Sequence, residues 1–329
     1  MKRLSVLHQF LDTVNEYNLL RKNYRILVGI SGGADSVCLL DLLNIVTPRF
    51  NLELWAIHIN HQLRPEAQRD ETFVRKLVGS WGIPLKVVKV NTLAFGRRHK
   101  IGIEEAARQL RYYYYQRIAK KLKCDAVALG HTADDNLETV IYHLVRGSGR
   151  RGLGGIPFIR NIFIRPLLKI TRRAVRDYLT ARSIEWIEDE SNQDTKFIRN
   201  LIRLQVVPVL EKINPSVREN VLRSCELLRT EDSFFDSLAE RALKKIYLLS
   251  SRNQPTIDIN RFNRYNLVLK RRIIKLLIPE IDANGVERVL DLISRKCAGS
   301  HHLKMGTVIR INENLMEIVN ICRRSTGAD

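Results

Sequence analysis

The sequence predicts an α/β protein: a parallel sheet with helices on both faces, followed by a smaller, mostly helical C-terminal domain. Three observations carry that expectation. Apolar runs of strand length alternate with helix-period segments over the first 145 residues. A glycine turn, Ser31-Gly32-Gly33-Ala34-Asp35-Ser36, joins the first such run to a helix. After Val145 the texture changes to a basic, glycine-rich stretch and then to long helical segments.

The elements follow in order. "MKRLSVLHQFLDTVNEYNLL" reads as an amphipathic helix, because Asp12, Asn15 and Glu16 interrupt it and no small-residue cleavage site follows. Tyr24–Ile30 is a strand, and Ser36–Ile45 a helix with Val37, Leu40 and Leu43 at helical spacing. Leu52–Ile59 is a buried strand, Glu66–Trp81 a helix and Ile83–Val90 the third strand. Ile103–Leu122 is a helix rich in tyrosine and arginine, Cys124–Gly130 the fourth strand and Ala133–Val145 a helix. In such sheets ligands sit beyond the carboxyl ends of the strands, where the motifs below fall. Arg146–Arg176 holds nine basic residues, no acidic one, and five glycines before Pro157, which mark an exposed, mobile loop. Thr171–Arg182 is a short helix with Thr171 as its N-cap. Lys196–Ile213 and Ser216–Ser250 read as long helices. Pro255–Asp329 mixes a helical middle with the strand-like pieces TIDI and GTVIRI. The domain change is expected at Asn214-Pro215, giving domains over 1–214 and 215–329.

Charge narrows the partners. Lys+Arg number 55 against 35 Asp+Glu, a net +20 that favours a polyanion, nucleic acid before an anionic membrane. The plainer alternative is a merely basic soluble protein. No apolar stretch approaches membrane-spanning length. The five cysteines, Cys38, Cys124, Cys225, Cys297 and Cys322, form no CxxC pair, so a zinc ribbon or thioredoxin-like motif is excluded. Their wide spacing suits a reducing cytosol.

The glycine turn has the chemistry of an anion cradle. Gly32 and Gly33 allow close backbone approach, the following helix presents free N–H groups, and Ser31 and Ser36 add hydroxyls. Asp35 repels phosphate unless a cation such as Mg²⁺ lies between them; otherwise it is a helix N-cap. No Walker lysine is present, which disfavours γ-phosphoryl transfer. Asp134 and Glu138 are i,i+4, and Asp135 and Glu138 i,i+3. They either share a cation, Mg²⁺ or a substrate ammonium, or form a solvated acidic helix start. Arg199 and Arg203 share a helical face, as do Arg108 and Arg111; both pairs suit phosphate clamping or pairing with acidic residues. One or two tyrosines of Tyr112–Tyr115 belong to the core.

SGGxDS after the first strand resembles the signature of the PP-loop, or N-type, ATP pyrophosphatases. "HINHQLR" (His58–Arg64) is similar to the HxNHxLR motif of one PP-loop branch, the tRNA(Ile)-lysidine synthetases. "EEAARQLRYYYY" resembles that branch's ARxxRY helix through Arg108, Arg111 and Tyr112. "LGHTADDNLET" resembles its GHxxDDQxET through His131, Asp134, Asp135, Glu138 and Thr139. "RGSGRRGLGGI" resembles its RGxGxxGLxG loop. "WIEDESNQDTKFIRNLIR" resembles its WxEDxSNxDxxFxRNxIR segment through Asp189, Ser191, Asn192, Asp194, Arg199, Asn200 and Arg203, and "RPLL" (Arg165–Leu168) also matches. Asn136 stands where glutamine is common, and Thr132 where histidine is common. The resemblance runs from Ile26 to Pro208, and the remainder carries no motif.

The resemblance implies a reaction. ATP adenylylates the C2 carbonyl oxygen of the wobble cytidine in an isoleucine tRNA with a CAU anticodon. The ε-amine of free L-lysine then displaces AMP, and codon reading changes from AUG to AUA. It implies ATP and Mg²⁺ as cofactors, a cytoplasmic location and, as in many members, a homodimer. ATP is expected at Ser31, Gly32, Gly33, Ala34, Asp35, Ser36, His58, Asn60 and His131, with the metal at Asp35. The chemistry is expected at Asp35, Asp134, Asp135, Glu138 and Arg111. Arg64, Arg108, Arg146, Arg150, Arg151, Arg165, Arg199 and Arg203 are expected on the tRNA. The C-terminal domain is expected to grip another part of it, through "KRRIIK" (Lys270–Lys275) unless that is a solvated helix face. Three rivals stand: a PP-loop tRNA thiolase, which needs reactive cysteines; a glutaminase-partnered amide ligase, which leaves the charge unexplained; and a non-catalytic RNA-binding module, against which Asp35, Asp134 and Glu138 argue.

Overall fold

A computed structural model describes residues 5–63, 67–188, 198–249, 254–303, 306–312 and 314–320. The chain divides into two compact units, Met1–Leu228 and Arg229–Asp329. The division therefore falls beyond the expected Asn214-Pro215 point, inside a continuous helix over Val217–Ile246.

In the first unit the predicted apolar runs form parallel strands β1 (Arg25–Gly29), β2 (Glu53–Asn60), β3 (Leu85–Lys89) and β4 (Ala126–Ala128). Two-residue strands β5 (Ile159–Arg160) and β6 (Phe163–Ile164) complete a sheet in the order β3-β2-β1-β4-β6-β5, in which only β5 is antiparallel. Successive side chains of a strand face opposite ways. Ile26 and Val28 pack with Phe10, Leu40, Val74 and Val175, whereas Leu27, Ile57 and Val127 pack with Leu110 and Tyr115. Those partners lie on α1 (Val6–Glu16), α2 (Ala34–Phe50), α3 (Ala67–Ser80), α5 (Ile103–Leu122, preceded by α4, Thr92–His99) and, beyond α6 (Ala133–Val145) and α7 (Arg150–Leu153), α8 (Arg172–Ala181). Helices therefore cover both faces, as expected.

Two expectations change. Arg146–Arg176 is not a mobile loop throughout, because Phe158, Phe163, Ile164, Leu167, Leu168 and Ile170 are buried and β6 joins the main sheet. The long helix expected over Lys196–Ile213 is broken into α9 (Ile198–Leu201), a π-helical turn (Ile202–Val206) and α10 (Val207–Ile213). Pro208 explains the break: it lacks an N–H, and its ring would strike the Leu204 carbonyl in a regular α-helix.

The second unit contains the end of α11 (Val217–Ile246), then α12 (Ile259–Asn263), α13 (Leu267–Leu277) and α14 (Ala283–Ser294). It also contains an antiparallel sheet of β7 (Tyr247–Leu249), β8 (Pro255–Asp258), β9 (Gly299–His302), β10 (Val308–Ile311) and β11 (Leu315–Asn320), ordered β7-β8-β11-β10-β9. TIDI and GTVIRI supply β8 and β10. Phe262, Ile273, Ile274, Val289, Ile309 and Met316 form its core. The KRRIIK stretch is therefore no free basic face: Ile273 and Ile274 are buried, Arg272 pairs with Asp232 and Asp236, and Arg271 with Glu287. Among the described residues no helix is long and apolar enough to cross a membrane.

Candidate active site

The strand order reverses direction between β1 and β4, which are neighbours although two strands separate them in sequence. Such a switch point opens a crevice at the carboxyl ends, and α2 and α6 both start there. Two free helix N-termini at one crevice favour anionic ligands.

The turn into α2 is built tightly. Gly32 has φ +95°, a conformation strained for any other residue, and a Cβ there would meet Ile187 Cδ1 at 2.8 Å. The Ile187 N–H donates to Gly32 O at 2.9 Å. Ser36 Oγ donates to Gly33 O at 2.9 Å and accepts from Ser31 N at 3.1 Å; the two hydroxyls lie 3.1 Å apart. Gly33 is the N-cap and Ala34 begins α2, so Asp35 is not the cap but projects from the first turn. Its Oδ1 is buried without a hydrogen-bond partner, and burial together with Asp135 pushes its carboxyl up to about 7. An orphaned carboxylate oxygen beside an anion cradle fits magnesium, which takes one or two carboxylates plus phosphate oxygens. Among the described residues no three His, Cys, Asp or Glu side chains converge as metal ligands. Asp35 would therefore hold the ion together with nucleotide oxygens.

The acidic cluster on α6 has its own cations. Arg172 NH2 lies 2.9 Å from Asp135 Oδ1, its NH1 3.1 Å from Glu138 Oε1 and its Nε 3.6 Å from Asp35 Oδ2. The Arg172 backbone N–H donates to Asp134 Oδ2 at 2.7 Å, and Arg218 Nε to Asp134 Oδ1 at 2.9 Å. Asp135 is also the helix cap partner: its Oδ2 accepts from Thr132 N at 2.8 Å and from Thr132 Oγ1 at 2.9 Å, in a capping box. Burial alone would raise its carboxyl, but Arg172, His131 and Thr132 hold it below the usual range. Burial pushes Glu138 above that range. A cavity of about 330 Å³ opens beside the cluster, lined among others by Asp134, Glu138, Arg172, Arg176, Arg203 and Arg218. Acids meet arginines there, the charge pattern an amino acid presents in reverse. Arg172 and Arg218 are the residues sequence reasoning missed.

The other expected residues are spread around this centre. His58 is 5 % exposed, and its Nδ1 donates to Ile30 O at 2.9 Å, which pins the ends of β1 and β2 together. Asn60 donates to Ala67 O and Glu71 Oε2 and accepts from Gln62 N, so it fixes the loop after β2 and is not free for a nucleotide. His131 sits before α6 with Nδ1 buried and unpartnered, and burial pushes its imidazole down to about 4. Arg111 is exposed on α5, and the Arg108 guanidinium lies 5.2 Å from the Tyr112 ring centre. Arg146, Arg150, Arg151 and Arg199 are exposed, whereas Arg203 turns to the cavity, so the π turn separates the Arg199–Arg203 pair. Asn136, the departure from glutamine, accepts from Ile156 N at 2.7 Å and moors the glycine-rich stretch to α6. Arg64 and Asp189–Asp194 lie outside the described residues.

Arg165 departs from its expected place on the tRNA. It is 2 % exposed, and its guanidinium donates to Pro157 O at 2.8 Å and to Tyr112 Oη at 3.3 Å, beneath the β5–β6 hairpin. Arg165→Ala should cost about 3 kcal/mol of stability through lost packing and unpaired acceptors. The salt slope of tRNA binding should stay unchanged, as calorimetry and filter binding would show; a shallower slope would return Arg165 to the RNA surface.

Comparison with known proteins follows this geometry. Residues 4–210 match the PP-loop domain family. The chain is 34 % identical to a tRNA(Ile)-lysidine synthase of Clostridioides difficile over 86 % of this chain and 62 % of that one. It is 33 % identical to that of Dehalococcoides mccartyi, covering 91 % and 67 %, and 34 % identical to that of Petrotoga mobilis, covering 65 % and 69 %. The chain thus spans 62 % and 65 % of the length of two such relatives, those of Clostridioides difficile and Caldanaerobacter subterraneus. Among solved structures, a U34-tRNA thiolase of Methanococcus maripaludis with its [4Fe-4S] cluster superposes with a TM-score of 0.59 at 22 % identity, covering 68 % of this chain and 78 % of that one. That likeness concerns the fold.

Proposed function

Because the chain belongs to the PP-loop family, and within it to the tRNA(Ile)-lysidine synthases, we propose that it ligates lysine to a tRNA base at the expense of ATP. The substrate is the wobble cytidine of a CAU-anticodon isoleucine tRNA. The observation that carries this reading is the meeting of a lysine-free glycine cradle and an acidic cluster at one switch point.

In the first step the cytidine O2 attacks the α-phosphorus, the bond to the β-phosphate oxygen breaks, and pyrophosphate leaves. The backbone N–H groups at the start of α2 and the Ser31 and Ser36 hydroxyls face the charge that develops on that leaving group. Magnesium held by Asp35 supplies further positive charge there when bound. In the second step the lysine ε-nitrogen attacks C2, the C2–O bond breaks, and AMP departs with that oxygen. The amine must shed a proton. Glu138 lines the cavity with its proton affinity raised by burial, which suits it to accept one. Arg176 and Arg203 on the same wall suit the lysine carboxylate. Exposed Arg146, Arg150, Arg151 and Arg199 face the RNA backbone in this reading, and tRNA binding should weaken steeply with salt. The homodimer rests on the resemblance alone, and light scattering checks it.

Mass spectrometry of isoleucine tRNA after incubation with ATP and lysine tests the proposal. The expected result is a mass gain at the wobble cytidine, with AMP and pyrophosphate released only when tRNA and lysine are both present. An unmodified cytidine would sink it. Sulfur gained by a tRNA base would favour the thiolase reading, against which stands Cys38, fully buried with its thiol pushed up by burial.

A further inference from the structure

The cluster brings together four carboxylates, and one residue touches all of them. Arg172 reaches Asp35, Asp135 and Glu138 with its three guanidinium nitrogens, and Asp134 with its backbone N–H. It does so from the first residue of α8, where the helix dipole disfavours a cation. The anionic partners outweigh that placement. A planar fork can hold three carboxylates apart at fixed angles; a lysine ammonium is a point charge on a flexible stem.

We propose that Arg172 is a positioning residue that sorts the carboxylates. It withdraws Asp135 and Glu138 from any metal and leaves Asp35, with its free Oδ1, as the single carboxylate presented to the nucleotide. The purpose of this sorting rests on the ATP-dependent ligase reading, but its test does not. Without the guanidinium, the same side chains would converge as a divalent-cation chelate.

Binding of Mn²⁺ to the full chain, measured by electron paramagnetic resonance without nucleotide, lysine or tRNA, reads this directly. Arg172→Met and Arg172→Gln should bind Mn²⁺ at least about tenfold more tightly than the unaltered protein. Arg172→Lys keeps the charge and should stay within about twofold of it. Circular dichroism identifies the folded variants, and the glutamine variant serves if the methionine one does not fold. In the unaltered protein the Arg172 Nε–H resonance, assigned by its loss in Arg172→Lys, should persist at saturating Mg²⁺. A folded Met or Gln variant with unchanged Mn²⁺ affinity, or loss of that resonance with Mg²⁺, overturns the proposal. Either failure leaves the ligase reading intact, and a failed tRNA assay leaves this result intact.

Discussion

Asp35→Asn should lower kcat/KM for adenylylation of the tRNA by about 10²–10³. It should leave the melting temperature unchanged or higher. Asparagine keeps the shape of the side chain, so the fold loses no packing. It removes a charge that the fold bears poorly, since burial and Asp135 already push the Asp35 carboxyl up to about 7. A group that costs stability and caps nothing has its value in the reaction. Formation of adenylylated tRNA without lysine reads the activity, and calorimetry reads the fold. Full activity with a lowered melting temperature would make Asp35 a structural residue.

Gly130→Ala should abolish detectable ATP binding and cost about 2–3 kcal/mol of stability. The added Cβ would lie 2.9 Å from Asp35 O, 3.0 Å from Asp35 C and 3.1 Å from Ser36 N. All three are backbone atoms of the first turn of α2, so no side chain can swing away. The residue must give, and with it the spacing between the starts of α2 and α6. Gly79→Ala is the control, because no atom lies within 4 Å of its Cβ position on α3. Isothermal calorimetry and thermal melts on both variants decide the matter. Unimpaired nucleotide affinity in Gly130→Ala would show that the two helix starts move independently.

The legible parts of this molecule are those set by local chemistry. β1 to β4 show themselves because each is an apolar run between turn signals, and the cradle because glycine, serine and aspartate act within six neighbouring positions. α4 is hidden: its Thr92–His99 segment has few apolar residues and is held by the Asn91 cap, whose Oδ1 accepts from Ala94 N at 2.9 Å. β5 and β6 are too short to show any period. Arg172 is hidden for another reason, since it meets Glu138 across 34 residues and only the fold brings them together. Asp135 was readable: Thr132-Ala-Asp-Asp135 has the spacing of a capping box, which assigns that carboxylate first to the helix start. The same box gives Thr132 a reason to stand where histidine is common.

The π turn at Ile202–Val206 makes this stretch sensitive to length in a way it is not to composition. A wide turn holds one residue more than the α-helical path across the same gap. Deleting any one of the five would restore a regular helix and swing everything beyond it by about 100°. Glu211 would leave Arg218, and with it the support of Asp134 would go out of phase. Substitutions here change a contact; insertions and deletions change the angular phase of the whole wall.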